Sequence, residues 1–335
     1  MSTSATTMDR AAPRRFDGRG PRAFLHRLRH GDQVAHVLTL TFAAGILLLT
    51  SMLVYELWVN SHLSRAKFGW LFFWTSTWDP IFDNFGAAPF IYGTLVTSVV
   101  SLVLAVPLGL AAAIFLSELA PRRMSDTISF LIDLLAAVPS VIYGLLGIFI
   151  VVPLMRTTVG PILIGSLGHV PVLGKFFKGP NYGVGFLTAG VVLAIMVVPF
   201  IISVSREVLL TVPREQREAA LALGATRWEA TWKVVVPWAR TGILGSVFLA
   251  LARALGETMA VTMVIGNDPK IAASLFAPGY TIAAVIANEF TEATGDLYLS
   301  ALIELGLVLF LMTFILNGLA RLLIVATERG GGRPS

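Results

Sequence analysis

Six long apolar stretches, separated by polar segments, dominate the pattern of residues along the chain. A helix needs about 20 consecutive apolar residues to cross a hydrocarbon core about 30 Å thick, and each stretch is long enough. The pattern therefore predicts an all-α integral membrane protein. Its six transmembrane helices are expected at about 35–58, 94–119, 128–155, 184–205, 240–266 and 300–325.

The composition supports the membrane assignment. Hydrophobic residues make up 56% of the chain and charged residues only 13%, with a mean hydropathy of +0.78, whereas about a quarter of a soluble domain is charged. The chain has no cysteine, which excludes disulfides and thiolate metal sites. The five histidines are scattered without metal-ligand spacing, so we expect neither a metal nor another cofactor.

Basic residues are distributed asymmetrically. They concentrate in the N-terminal tail, at the 122–123 turn, in the segment 206–240 and near the C-terminus, and they are fewer in the intervening loops. Because Lys and Arg collect on the cytoplasmic side of membranes, both termini are predicted to be cytoplasmic. The net charge of +5 is then explained by topology, and nucleic-acid binding is excluded.

The ends of the chain differ from its apolar middle. Residues 1–30 are polar and Arg-rich and are predicted to be a disordered cytoplasmic tail; a transit peptide is the alternative, against which Asp9 and Asp17 count. The first apolar stretch is too long for a signal peptide and lacks a small-x-small cleavage site, so we predict an uncleaved anchor. The six-span domain occupies 31–329, and 330–335 form a second cytoplasmic tail.

Two predicted outer loops are unusually apolar. In loop 60–91, Trp70, Trp74 and Trp78 recur every four residues, so a helix would place them on one face. We favour an interfacial aromatic belt or an amphipathic helix over a ligand cage or a docking face for an outer partner. Loop 156–183 is too interrupted by Gly and Pro to span, and a re-entrant or gate segment remains open.

The predicted cytoplasmic loop 211–239 has start and stop signals for two short helices. Gly224 suits the left-handed position that ends the first helix. Thr226 and Glu229 form a T-x-x-E capping box that starts the second, and Pro237 is expected to close it before the fifth span. The pair has no role in crossing a bilayer, so it either docks a protein or lies on the membrane surface.

This loop resembles the EAA loop of binding-protein-dependent ABC importer permeases. That motif reads Glu-Ala-Ala, three residues, Gly, nine residues, then Ile-x-Leu-Pro. The chain matches it with Glu218, Ala219, Ala220, Gly224 and Pro237 and has Val at the Ile and Leu positions. The resemblance implies that these residues couple the chain to a cytoplasmic ATPase.

Two further segments resemble the phosphate-specific subgroup of these permeases. They are "DLLAAVPSVIYGL" (133–145) and "ARALGETMAVTMVIGN" (252–267). This subgroup has two paired permease subunits, and segment 252–267 is similar to the first of them. The likeness covers roughly 70–325 and implies the type I ABC importer permease fold, a bacterial inner membrane location and phosphate as substrate. The implied partners are a homologous second permease subunit, two cytoplasmic ATP-binding subunits and an extracytoplasmic phosphate-binding protein.

The chain is not expected to be an enzyme. No G-x-x-x-x-G-K-[ST] phosphate-binding loop occurs in the sequence, so ATP hydrolysis is assigned to a separate partner chain. No G-x-S-x-G or H-E-x-x-H motif of a hydrolase or metalloprotease is present either.

Arg253 and Glu257 are two charges in the otherwise apolar or small run 248–266. A charge at the bilayer centre costs about 2.5–3.5 kcal/mol, whereas an i,i+4 pair contributes only about 0.2–0.5 kcal/mol to an isolated helix. Their spacing predicts that both side chains share one face of the fifth helix, on the substrate pathway. A self-neutralising structural pair is the alternative. Two other carboxylates, Asp133 and Glu304, lie near predicted span ends, where snorkelling or capping is expected.

The charged pair suits an anion that carries a proton. The guanidinium of Arg253 matches the geometry of a phosphate, and Glu257 can accept a hydrogen bond from hydrogen phosphate but not from sulfate. Alternatives remain open: a permease for sulfate, molybdate or another oxyanion, a self-contained channel or secondary transporter, and a membrane sensor.

Overall fold

The structure, a computed structural model, describes residues 32–171 and 173–330. The predicted tail 1–30 and the last residues of the second tail, 331–335, lie outside the described residues. In chain order the α-helices are α1 (Asp32–Asn60), α2 (His62–Phe68), α3 (Ala88–Ile114), α4 (Arg122–Ala136), α5 (Ser140–Leu146), α6 (Val152–Leu154), α7 (Gly160–Leu167), α8 (Phe186–Leu210), α9 (Arg214–Ala222), α10 (Arg227–Ala230), α11 (Val236–Leu255), α12 (Met259–Ile265), α13 (Ile282–Glu289) and α14 (Asp296–Gly330).

Short irregular helices extend or join several of these elements. The π-helical turns are Phe115–Leu119, Gly147–Val151, Met155–Val159 and Thr231–Val235, and the 3-10 helices are Gly69–Phe73 and Leu173–Lys175. Because a π turn keeps the helix continuous, α5 to α7 form one helical segment, and so do α10 and α11.

Six helical segments of the described chain are long and apolar enough to cross a membrane. They are Val34–Asn60, Ala88–Leu119, Ser140–Ser166, Phe186–Leu210, Arg227–Leu255 and Asp296–Val325. Their number confirms the predicted six-span, all-α membrane protein.

The third span lies further along the chain than the sequence pattern predicts. The expected span, 128–155, is interrupted by a turn at Ala137 and by Pro139, whose extended conformation begins α5. The segment before the turn, α4, carries polar residues between its apolar ones and is a separate helix. The span continues to Ser166 through the two π turns, so the first part of loop 156–183 is helix and not a broken outer loop.

The fourth span forms the centre of the largest core. The chain divides into two compact units, Met1–Glu56 and Leu57–Ser335. In the second unit, 61% of the most apolar window of the fourth span is buried, against 22% to 33% for the other spans that lie in this unit. Its helix α8 packs against α3, α11 and α12, and it holds those helices around one apolar core that includes Leu193, Val197 and Val264.

The three tryptophans of loop 60–91 do not lie on one helix. The 3-10 helix ends at Phe73, so the four-residue spacing does not produce a shared helical face, and that part of the prediction is wrong. Trp70 and Trp74 are exposed. Trp78 instead packs edge-on against Phe90 and donates from Nε1 to Glu289 Oε2 at 2.8 Å, which ties this loop to α13.

Candidate functional site

The fifth span ends at a break that separates the two predicted site residues. The helix α11 stops at Leu255, Gly256 follows as its C-terminal cap, and α12 begins only at Met259. Arg253 therefore lies in the last turn of one helix, whereas Glu257 lies in the connection to the next. The prediction that both side chains share one face of a continuous helix is therefore wrong. The sequence does not reveal this break, because a glycine in an apolar run is compatible with both a broken helix and a continuous buried one.

Glu257 caps the helix after the break. Its Oε1 accepts a hydrogen bond from the backbone N–H of Ala260 at 3.1 Å. This N–H is one of those that a helix start leaves without an intrahelical partner, and a negative charge is also favourable there because of the helix dipole. Within the described residues, the side chain of Glu257 forms hydrogen bonds only through Oε1, so its Oε2 is available to a ligand.

Arg253 carries a positive charge without a carboxylate partner. Among the described residues, no ion pair within 4.0 Å joins it to Glu257 or to another acid. Its guanidinium lies 5.7 Å from the centre of the Phe200 ring, within the range of a cation–π contact, and its position in the last turn of a helix is favourable for a cation. Arg253 is exposed in this chain, so its donors can reach a ligand.

A second helix break lies next to the first. The third span begins after the turn at Pro139, and its first helix α5 packs against α12. Tyr143, on α5, donates from its hydroxyl to Leu135 O at 2.7 Å across this turn, and Arg253 is close enough to act on Tyr143 electrostatically. Interrupted membrane helices are typical of binding sites because the backbone there faces a cavity or a partner.

Sequence reasoning missed two members of this site, Tyr143 and Phe200. Both lie in segments that the sequence marked by a proline, Pro139 and Pro199, and a proline inside an apolar span is a signal that could direct attention to its neighbours. Their proximity to Arg253 depends on helix packing, however, and no local pattern predicts it.

The loop 211–239, which we call the EAA loop, has the predicted corner. Gly224 has φ +88°, a left-handed conformation. Its N–H donates to Leu221 O at 3.0 Å, and the next N–H, of Ala225, donates to Ala220 O at 3.2 Å. These two bonds form a Schellman motif, which satisfies carbonyl groups at the end of α9. The predicted glycine helix stop is confirmed.

The capping box after the corner is also confirmed. Thr226 Oγ1 accepts from Glu229 N at 3.3 Å, and Glu229 Oε2 accepts from Thr226 N at 3.0 Å. The expected stop at Pro237 is wrong: α10 continues through the π turn Thr231–Val235 into the fifth span. The proline is tolerated because it lies in the first turn of α11 after this irregular turn, where the regular helix hydrogen bonds are already interrupted.

The tip of the EAA loop is exposed and partly apolar. Glu218, Ala219 and Gly224 are exposed, and the side chain of Leu223 is 90% exposed. An added Cβ on Gly224 would have no atom within 4 Å. The loop therefore presents small and apolar groups to its surroundings, and another chain can approach its backbone closely.

A partly buried ion pair anchors the EAA loop to the second span. Arg217 donates from Nη2 and Nε to the two carboxylate oxygens of Glu118 at 2.8 Å and 3.1 Å, and Nη2 also donates to Leu209 O at 2.8 Å. The side chains are only 21% and 10% exposed. Because the partners are 99 residues apart, the sequence gives no sign of this contact.

Comparison with known proteins now identifies the family. The family model described as "Binding-protein-dependent transport system inner membrane component" matches residues 105–328. The chain belongs to this family. The match includes the EAA loop and both helix breaks, so all the site residues described above lie within the family domain.

Relatives with high identity extend over most of the chain. The phosphate transport system permease protein PstC of Mesorhizobium japonicum is 46% identical over 310 residues, which is 92% of this chain and 95% of the relative. The protein of the same name from Pasteurella multocida is 47% identical, with 87% and 91% covered. PstC 1 of Mycobacterium tuberculosis is 39% identical, with 75% of each chain covered.

Solved structures of this architecture confirm the predicted type I ABC importer permease fold. A chain of an inward-facing MetNI methionine ABC transporter has a TM-score of 0.54 and 18% identity, and the match covers 71% of this chain and 94% of that chain. A chain of a bacterial alginate ABC transporter, in complex with an alginate pentasaccharide-bound periplasmic protein, has a TM-score of 0.56 and 16% identity, with 88% and 96% covered. At such identities the likeness concerns the fold alone.

Proposed function

We propose that this chain is a permease subunit of an ATP-driven importer of inorganic phosphate and forms half of its transmembrane anion pathway. The observation that carries the proposal is the 46% identity, over 92% of the chain, to a relative named as a phosphate transport system permease protein. The chain itself catalyses no reaction, and ATP is hydrolysed by separate subunits.

The anion pathway is assigned to the break in the fifth span. Arg253 is exposed and has no carboxylate partner among the described residues, so its planar fork of donors can bind two oxygens of a phosphate. Glu257 uses one oxygen to cap α12, and its second oxygen accepts a hydrogen bond from the proton on hydrogen phosphate. Sulfate has no such proton, and this difference favours phosphate.

The EAA loop is assigned to ATPase docking. Glu218, Ala219, Ala220 and Gly224 lie on or beside the exposed corner, whereas Pro237 lies in the first turn of the helix that continues from the loop through the fifth span. The rigid corner and the capping box fix the angle between α9 and α10. Arg217 then connects any displacement of α9 to the second span through Glu118.

The assembly follows from this assignment. A second, homologous permease subunit completes the pathway, two ATP-binding subunits bind the EAA loops, and a phosphate-binding protein delivers the anion from outside. The chain then lies in the bacterial cell membrane with both termini in the cytoplasm, as its Lys and Arg asymmetry predicts.

The test is phosphate uptake by vesicles reconstituted with this chain and the second permease, with and without the ATPase subunits. Uptake should require both the ATPase and ATP. Phosphate uptake without the ATPase subunits or ATP would identify a channel or secondary transporter. A preference for sulfate or molybdate over phosphate in competition would identify an importer of a different oxyanion. Each result would contradict the proposal.

A further inference from the structure

A pocket that shares no residue with the proposed anion pathway lies between the first half of the sixth span and the chain from the end of the first span to the 3-10 helix Gly69–Phe73. Its volume is about 320 Å³, within the range of about 300–1,000 Å³ typical of small-molecule sites. Its lining is mostly apolar but includes one acid and one base. The lining residues are Trp58, Arg65, Gly69, Trp70, Phe73, Glu304, Leu307, Val308 and Leu311.

The acid of this pocket, which we call the Glu304 pocket, is buried without a full set of partners. Glu304 is 2% exposed, and its Oε2 has no hydrogen-bond partner in the described part of the chain. Ser64 lies close to this carboxyl group, yet its Oγ also has no partner with hydrogen-bond geometry. The snorkelling or capping expected from the sequence is therefore wrong. An unpaired buried polar atom is costly, and a ligand with an N–H donor would satisfy it.

The base of the pocket is held in place with donors to spare. Arg65 stacks over the Trp58 ring at 3.6 Å, donates from Nε to Ser61 Oγ at 3.0 Å and also bonds Trp58 O. These contacts use two of the five N–H donors of a guanidinium. Within the described residues, Arg65 and Glu304 do not form an ion pair within 4.0 Å, although they are near enough to interact electrostatically. The pocket therefore offers one cation and one anion to a single ligand.

The position of the pocket places it at a membrane boundary. Trp58 lies near the end of the first span at Asn60, and Glu304 lies eight residues, or about 12 Å, into the helix that starts at Asp296. Trp58 and Leu311 are 55% and 46% exposed, so the rim of the pocket is open at the apolar surface of the chain. Tryptophan is typical of the level where lipid headgroups lie.

We infer that the Glu304 pocket binds a phospholipid whose headgroup carries a primary ammonium, such as phosphatidylethanolamine. The ammonium donates to Glu304, the phosphate accepts from Arg65, and an acyl chain lies along Leu307 and Leu311. Phosphatidylglycerol has no cation for Glu304. The quaternary ammonium of phosphatidylcholine is charged but has no N–H to donate, so neither lipid can both donate to Glu304 and accept from Arg65.

The test is native mass spectrometry of the full chain in detergent with phosphatidylethanolamine, phosphatidylcholine and phosphatidylglycerol in competition. The wild-type chain should retain phosphatidylethanolamine preferentially. Glu304→Gln keeps the shape of the side chain and one acceptor oxygen but removes its charge. It should lower the affinity for this lipid roughly tenfold, because the hydrogen bond from the ammonium to a carboxylate is replaced by a weaker one to a neutral amide. Glu292→Gln, which neutralises an exposed acid outside the pocket, is the matched control and should change nothing.

The wild-type competition does not depend on any variant folding correctly. Equal retention of the three lipids by the wild-type chain would overturn the inference. So would a Glu304→Gln chain that keeps the wild-type preference, or occupation of the pocket by a peptide or a second copy of the chain, detected by crosslinking at Trp70.

Discussion

Arg253 is the residue on which the proposed transport chemistry depends most. Its charge has no carboxylate partner among the described residues, and its surroundings are an aromatic ring and the end of a helix. The break after Leu255 changes the explanation for the neighbouring acid, because Glu257 has a structural role in capping α12 as well as its proposed role with the anion.

The first prediction concerns the charge and shape of Arg253. Arg253→Gln should reduce the initial rate of phosphate uptake at least about tenfold, the effect of losing one hydrogen bond to a charged group. Arg253→Lys should restore it only partly, because a point charge lacks the planar fork. Uptake into vesicles at equal protein content is the measurement. Arg156→Gln, an exposed arginine on the third span, is the control. Full transport activity of Arg253→Gln would show that Arg253 is not part of the anion pathway.

The second prediction separates the two roles of Glu257. Glu257→Gln keeps a side-chain oxygen that can accept from Ala260 N, so the fold of α12 should survive. The amide lacks a carboxylate acceptor for the proton on phosphate, so the preference for phosphate over sulfate should narrow. Competition between the two anions in vesicles measures this preference, and Glu292→Gln provides the control. An unchanged preference with normal transport would show that Glu257 acts only as a helix cap.

At the scale of elements, the corner of the EAA loop determines how α9 and α10 are presented. Gly224 has φ +88° and open space around its Cβ position, so a substitution acts only through backbone strain. We predict that Gly224→Val, which costs on the order of 1 kcal/mol or more in this conformation, weakens co-purification of the ATPase and reduces uptake.

Two variants make this prediction specific. Gly224→Asn should be milder, because asparagine tolerates the left-handed region. Gly245→Val adds the same side chain where the space is also open but the backbone is helical, and it should leave ATPase binding intact. Equal ATPase binding by Gly224→Val and the parent chain would contradict the docking assignment.

The Arg217–Glu118 pair is predicted to hold the EAA loop against the second span. Arg217→Gln leaves a mostly buried carboxylate without its partner, which typically costs about 3–5 kcal/mol for a buried pair, and it should lower the thermal unfolding temperature. Lys233→Gln breaks the exposed pair with Glu229 and should cost less than about 1 kcal/mol. Thermal unfolding of both variants in detergent checks the difference. Equal shifts would mean that the Arg217 pair is not an anchor.

The sequence predicts those elements of the fold that depend on local signals. The corner at Gly224 and the box of Thr226 and Glu229 follow from neighbouring residues, and the structure has both. The break at Gly256 was not predicted, because a glycine inside an apolar run is also tolerated in a continuous span. The contacts of Arg253 with Phe200 and of Arg217 with Glu118 depend on helix packing over long sequence distances, which hydropathy does not encode.

At the scale of the whole molecule, the two proposed sites lie at opposite ends of one helical segment. The EAA loop runs through the π turn into Arg227–Leu255, and Arg253 lies in the last turn of that segment. A displacement at the loop can therefore act on the proposed anion site along one continuous helical segment. One helical segment therefore joins the proposed docking loop to the proposed anion site.

The central claim is that the charged break in the fifth span forms part of an ATP-driven phosphate pathway. The most direct measurement is ATP-dependent phosphate uptake by vesicles that contain the assembled transporter with the double variant Arg253→Leu and Glu257→Ala. The account predicts that uptake is lost while the variant still inserts in the membrane and still co-purifies with the ATPase. Uptake at the parent rate would contradict it, because the pair would then be structural only.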